Sequence, residues 1–476
     1  MNGKRLDMAD AVVLKRVDVP VIGLPAEPRP ELMAPVFEAR LARVRARMRE
    51  RGLDALVVYG DREHVGAIQW LTNYDPRFEE TLLVVLPAGT PVLFVGNEGM
   101  GYSTIARLPV ERRLCQTLSL LGQPRDRLRP LAAQLREAGI APGSRVGAAG
   151  WKYFSAAEFG EPDGVLDWPE FLAASLRSAA GPAGRVTNET ALFMDPENGL
   201  RVLQEAEQLA DFEWIATANS QALLDGIRAI RPGMTEHAGF EGMRCNGLAL
   251  GCHPICSAGE RARRHGMASP TSHTIGLGDP VMMTMSYQGA NTCRFGWMAA
   301  SAQDLPAETR DYIERTAAPY VRALFAWYET MRLGATGDAL HRAVHGILDP
   351  AGVSVSLNAG HLTAMDEWTH SLVEAGSGRT VRSGMYWQAD FFGTVPTAHH
   401  GAFAEDGLVV ADEALRADLK KRFPAMWGRI ESRRRFMQDA LGVRLAPEVL
   451  PLSNFPAMLV PFFMEPGMTL VRAGRA

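Results

Sequence analysis

The sequence predicts an α/β domain followed by a larger α+β domain. Three observations carry this prediction. Helix-like and strand-like segments alternate from Val36 to about Thr187. A long helical segment from about Arg201 to Ile230 then opens the second half. Beyond it an Arg-x-Gly-x-Thr phrase occurs twice, in "RPGMTE" (231–236) and "MRLGATGDALHRAV" (331–344). Each copy lies between helices and precedes strand-like sequence, which points to an internally duplicated unit.

The elements can be justified in order. Residues 1–34 are Pro-punctuated and read as an irregular extension. "VFEARLARVRARMRERG" places Phe37, Leu41, Val44 and Met48 on one helical stripe and stops at Gly52. "DALVVYG" reads as a strand, and "TLLVVLPAGTPVLFVG" as two strands around a Gly-containing turn. "RPLAAQLREAGIAPGSRVGAAG" is a helix, a turn and a strand, which places the α/β domain at 35–195. The α+β domain follows at 196–430, with Thr235 as the N-cap after "RPGM". Residues 431–476 read as a helix end and a Pro-rich tail.

Within the second domain, Val281–Tyr287 and Ala290–Trp297 are β-prone runs separated by Gln288-Gly289. Glycine in a two-residue gap supplies the positive φ of a tight hairpin turn. Tyr287 then faces Ala290, Ser286 faces Asn291 and Thr284 faces Cys293. Because side chains alternate across a strand, Thr284, Ser286, Asn291 and Cys293 share one small, polar face. That face is either a pocket floor or ordinary buried packing.

Composition narrows the class. The chain has 476 residues, 47% hydrophobic and 22% charged, with a net charge of −4. This describes a globular protein with no basic footprint for nucleic acid and no polybasic membrane patch. Apolar runs are broken by Pro and Gly and are too short to span a bilayer. The first twenty residues carry scattered charge and no apolar signal-peptide core. Five cysteines in so long a chain read as reduced thiols, and the expected compartment is the cytoplasm.

Four segments offer chemistry. "RRHGMASPTSHT" presents His265 in a polar loop, and "GHLTAMDEWTHS" presents His361 and His370 flanking two acids. "SGMYWQADFF" puts Asp390 in an aromatic strand, where a carboxylate needs a partner. "HHGAFAEDGLVV" puts Glu405 at the mouth of another strand. Acids and histidines converging from separate strands suit general acid–base chemistry, and they also suit buried salt bridges. "GCHPIC" lacks the second ligand pair of a structural zinc site and reads as a strand with small thiols.

The order of these motifs resembles the creatinase, prolidase and methionine-aminopeptidase superfamily, whose catalytic domain has the pita-bread fold. The residues are "RPGMTE", the "GD" hairpin, "GH…H", "GM…Asp" and "G-x-x-x-E-D", with "RVRARMRERGLDALVVYG" similar to the N-terminal domain of the creatinase and aminopeptidase P branch. The resemblance implies that metallopeptidase members hold two cations with two Asp, one His and two Glu. Matched by motif, the hairpin aspartates fall on Thr284 and Asn291, the histidine on His361, and the glutamates on Asp390 and Glu405. Both hairpin carboxylates are absent, so no metal and no other cofactor is expected.

Creatinase, a metal-free member, is then the implied precedent. A loop histidine there acts as general base and acid, and His265 matches it; Asp390 matches a carboxylate that binds guanidinium, and Cys293 stands where a second would be. Arg77 in "NYDPRFEE" matches an arginine offered to the neighbouring subunit's substrate, which implies a homodimer. The expectation is a metal-independent carbon–nitrogen hydrolase acting on a small cationic or zwitterionic molecule. His265, His361, His370 and Glu405 would be catalytic, and Asp390, Cys293, Thr284, Asn291 and Arg77 would bind substrate. Two alternatives stand beside it: a residual mononuclear metallohydrolase or Xaa-Pro-type peptidase, and a non-catalytic ligand-binding member.

Overall fold

In the computed structural model, which describes residues 11–474, the chain folds into two units: 31–202, and 203–474 together with 11–30. The first is built on a six-stranded mixed sheet. Its order is Glu111–Leu114, Val92–Val95, Thr81–Val85, Ala55–Gly60, Arg145–Ala149 and Arg185–Asn188. Helices Leu131–Glu137 and Glu170–Ala180 pack apolar faces (Leu135, Leu172, Leu176) against Val57, Val84, Phe94 and Val146 of the sheet. The helix Ala34–Arg51 buries the expected stripe, Phe37, Leu41, Val44 and Met48, and ends at Gly52. It also buries Arg40, whose guanidinium bonds the Trp70 carbonyl at 2.7 Å and lies over that indole.

The second unit is organised by the hairpin. Strands Pro280–Tyr287 and Ala290–Trp297 pair with Tyr287 opposite Ala290, Ser286 opposite Asn291 and Thr284 opposite Cys293, as the turn residues require. Gly289 takes φ 101°, and a side chain there would collide with Phe212. The helix Ala206–Ala229 lies against one face of the hairpin, where Asn219 donates to the Met285 carbonyl at 2.8 Å. The Met283–Met285 face therefore meets the helix, and the small polar face is left for the site.

This hairpin sits inside a six-stranded sheet ordered Ser354–Val355, Gly393–Thr394, Gly401–Glu405, Ala290–Trp297, Pro280–Tyr287, Ile255–Ala258. A four-stranded sheet (His361–Leu362, Met385–Gln388, Gly407–Val410, Val449–Pro451) takes the chain on from Glu405. The duplication is visible at the two Arg-x-Gly-x-Thr phrases. Thr235 caps its helix by accepting from the Ala238 amide, and Thr336 does the same for Ala339. Gly233 bonds the Ile275 carbonyl as Gly334 bonds that of Val381, and Thr235 and Thr336 bridge Thr274 and Thr380.

The chain ends depart from expectation. Val12–Arg16 is a strand, paired antiparallel with Met468–Arg472. The segments read as an irregular extension and a Pro-rich tail thus complete each other, a pairing between distant segments that local patterns do not show. The reading of the first twenty residues as lacking a signal peptide falls partly on residues 1–10, outside the described residues. Among the described residues no helix is long and apolar enough to cross a membrane. None of the five cysteines forms a disulfide, and in "GCHPIC" only Cys256 lies in a buried strand.

Candidate active site

Four separate segments meet beside the polar face of the hairpin. Asn291 comes from the return strand. His361 comes from a short strand paired with Met385–Gln388, and Asp390 follows that partner strand by two residues. Glu405 ends its own strand directly opposite Cys293. Gly360 makes the approach possible. It adopts φ 99°, donates to the Asp390 carbonyl at 2.8 Å, and a Cβ there would strike Trp327.

His361 is fully buried and its ring is fixed from two sides. Nδ1 lies 3.1 Å from the Leu362 carbonyl, and the ring stacks on Trp368 at 4.1 Å and 19°. A carbonyl can only accept, so a proton sits on Nδ1 and Nε2 is the ring atom that faces the cluster. Nε2 stands 3.5 Å from Asp390 Oδ2 and 4.0 Å from Glu367 Oε1, with no hydrogen-bond partner.

Glu367 is the residue that sequence reasoning missed. The loop after His361 closes on itself: Leu362 bonds the His370 carbonyl at 2.7 Å and Thr369 returns a bond to Leu362. This short closure carries Glu367 back to the site. One Asn291 amide nitrogen then donates to Glu367 Oε1 at 2.8 Å and to the two oxygens of Glu405 at 3.1 and 3.2 Å. Burial, with Asp390 and Glu367 beside it, pushes the Glu405 carboxyl well above the usual range. Burial also raises Glu367, with 30% of its side chain still exposed, although His361 and Asn291 oppose the shift. Carboxylates this close cannot all ionise unless a proton or a cation stands among them. The only available signal for Glu367 was a pair of acids between two histidines.

Other expected residues are placed differently. Thr284 donates to Cys293 at 2.7 Å, and both are buried. Cys293 packs with Ile255, Met282, Phe295 and Phe403, so these two residues form packing under the site and do not make an open pocket floor. Burial beside Glu405 pushes the Cys293 thiol up, which disfavours a thiolate there. His370 is half-buried, with Nδ1 2.8 Å from the Ser371 carbonyl. His265 is exposed at the end of the helix Gly259–Arg264, and the structure does not hydrogen-bond its ring to the cluster. Arg77, in the other unit, pairs with Asp75 at 2.9 Å and lies over the Tyr102 ring.

Residues 214–412 match the model of metallopeptidase family M24, and residues 40–141 match the creatinase/prolidase N-terminal domain. No curated protein sequence matches the chain. Among solved structures, dipeptidase PepE from Mycobacterium ulcerans is similar at 18% identity and TM-score 0.57, over 80% of this chain and 95% of that one. The prolidase from Pyrococcus horikoshii OT3 is similar at 15% and 0.59, over 78% and 95%. X-Pro aminopeptidase from Thermotoga maritima MSB8 is similar at 12% and 0.56, over 78% and 95%. At such identities the structural likenesses speak to fold alone.

The two domain matches, with the fold, define a pita-bread hydrolase preceded by a creatinase-type N-terminal domain. The chain belongs to the creatinase, prolidase and aminopeptidase P superfamily, and is thereby a hydrolase acting on carbon–nitrogen bonds.

This match weighs against the expectation of a metal-independent site and favours the alternative of a metallohydrolase. The matching family is one of metallopeptidases. His361, Glu367 and Glu405 each offer a ligand atom, all within 4.8 Å of one another. A cation pair of the family's kind does not fit, because Thr284 and Asn291 carry no carboxylate and Thr284 is engaged by Cys293. A single cation does fit, since Nε2 of His361 is buried, faces carboxylates of Glu367 and Asp390 and has no hydrogen-bond partner.

Proposed function

We propose that the chain cleaves a small peptide-like amide of the Xaa-Pro type at a cation-dependent acid cluster. The observation that carries this reading is the convergence of His361, Glu367 and Glu405 on one point, with Asp390 3.5 Å from the imidazole. The family match and the prolidase-like neighbours support it.

His361, Glu405 and the acids beside them would hold one divalent cation, which when bound supplies Lewis-acid polarisation of the scissile carbonyl. The protein's own groups do the rest. Asn291 holds two carboxylates in one orientation through a single amide, which is the kind of preorganisation that stabilises developing charge. Asp390, 16% exposed, sets an acidic wall against His361 and suits the free ammonium of a zwitterionic dipeptide. His265, exposed at a helix end, is the proton carrier of this reading, because an imidazole can both accept and donate a proton. Arg77 belongs to the proposal through a homodimer, which light scattering of the purified protein checks.

The test is hydrolysis of alanyl-proline, alanyl-alanine and a guanidino compound such as creatine, each with added Zn²⁺ or Mn²⁺ and again with chelator. Release of proline that stops on chelation is expected, with Glu405→Gln losing at least about a hundredfold in kcat, the scale of a lost acid–base group. Chelator-resistant hydrolysis of the guanidino compound, or no turnover of any of the three, overturns the reading.

A further inference from the structure

We infer that Glu367 replaces the lost hairpin carboxylates as a ligand and that the site takes one divalent cation, held by His361 Nε2, Glu367 and Glu405. This rests on the reading of the cluster as a cation-dependent hydrolase site. Glu367 lies outside the set of positions carried over from the superfamily, which are those of Thr284, Asn291, His361, Asp390 and Glu405.

Three features point to a bound ion. The first is the imidazole. His361 is 0% exposed, its Nδ1 is committed to the Leu362 carbonyl, and the ring is clamped by Trp368. Nε2 therefore points into the acid cluster, without a hydrogen-bond partner, 4.0 Å from Glu367 and 3.5 Å from Asp390. A buried ring nitrogen oriented through a carbonyl contact on the other nitrogen is the usual arrangement of a histidine ligand.

The second is the loop. Closure of 363–369 between Leu362 and His370 delivers Glu367 to the same point. Its carboxylate, that of Glu405 and Nε2 offer atoms mutually within 4.8 Å, a span that one ion at ordinary ligand distances of about 2.0–2.2 Å bridges after small side-chain rotations.

The third is Asn291, which also decides the number. Its amide nitrogen sits between Glu367 and Glu405, within 2.8 Å of the first and 3.1 Å of the second. A neutral donor there satisfies one oxygen of Glu367 and both of Glu405, which a second cation would otherwise need. The Asn291 Oδ1 atom is itself buried without a partner, so rotating the amide would offer one more oxygen to the same ion. One imidazole with two or three oxygens suits a first-row ion such as Zn²⁺ or Mn²⁺.

The experiment is equilibrium dialysis of chelator-stripped full-length protein against Zn²⁺ or Mn²⁺ alone, with elemental analysis and calorimetric titration. One ion per chain is expected in the parent. Glu367→Gln, which keeps shape and removes charge, should weaken binding at least about tenfold, the lower end of what loss of a group supporting a metal site costs. Its melting temperature without metal should stay at or above the parent's, showing that the fold is intact. Two ions per chain, or Glu367→Gln binding as tightly as the parent, overturns the inference. No substrate is present, so a chain that binds one ion through Glu367 yet cleaves no dipeptide leaves this inference standing and defeats the functional proposal.

Discussion

Arg294 Nη2 lies 2.9 Å from both carboxylate oxygens of Asp406, in a pair that is 0% and 1% exposed. The same guanidinium bonds the carbonyls of Cys293 and Glu405, at 2.7 and 2.9 Å, and that of Met458. One cation thus ties the return strand of the hairpin to the strand that ends at Glu405. The site's geometry depends on this buried tie.

Asp406→Asn keeps the shape and leaves Arg294 buried without a counter-charge. Removing one partner of a buried pair costs about 3–5 kcal/mol. Urea unfolding of the variant should show that loss. A loss below about 1 kcal/mol would mean that the carbonyls alone hold Arg294.

Cys293 should behave as an inert thiol. It is 3% exposed, packed in an apolar cluster and shifted up by burial, whereas Cys245 is exposed. Alkylation of the native protein followed by mass spectrometry should label Cys245 first and Cys293 only after denaturation. Cys293→Ser should keep turnover. A covalent substrate adduct on Cys293 would contradict both.

His265→Ala separates chemistry from stability. The side chain is exposed, so the melting temperature should hardly move; surface substitutions stay within about 0.5 kcal/mol. Turnover of the dipeptide should fall at least about a hundredfold. Turnover within a factor of ten of the parent would remove His265 from the machinery.

Acid should unfold the second unit partly through Glu213. It is fully buried against Arg433 and Arg429. Burial alone would raise its carboxyl, but the two guanidinium charges outweigh that and hold it below the usual range. A carboxyl lowered on folding stabilises at pH values above its unfolded pKa. That contribution is lost as pH falls below the mid-4 range toward the folded value. The urea midpoint of the parent should therefore drop between pH 5 and 3 more steeply than that of Glu213→Gln. Parallel curves would show that the pair contributes nothing to the pH dependence.

Much of this protein was legible in one dimension. The hairpin register from 280 to 297 follows from a two-residue gap with one glycine and an alternation of period two, both local properties. The helix stripe Phe37, Leu41, Val44 and Met48, and the caps Thr235 and Thr336, are local as well. The motif order was enough to nominate His361, Asp390 and Glu405 together and to show that Thr284 and Asn291 had lost their charge. Tertiary structure decided the rest. Glu367 enters the site only because Leu362 and His370 pair across a loop whose closure no periodicity announces. Cys293 turned from pocket lining to packing because Phe403 and Ile255 arrive from other strands. The terminal strands found each other across nearly the whole chain. Alternation and capping act between neighbours in sequence, whereas a carboxylate's partner, and hence its charge and its chemistry, is set by whichever distant segment the fold brings against it.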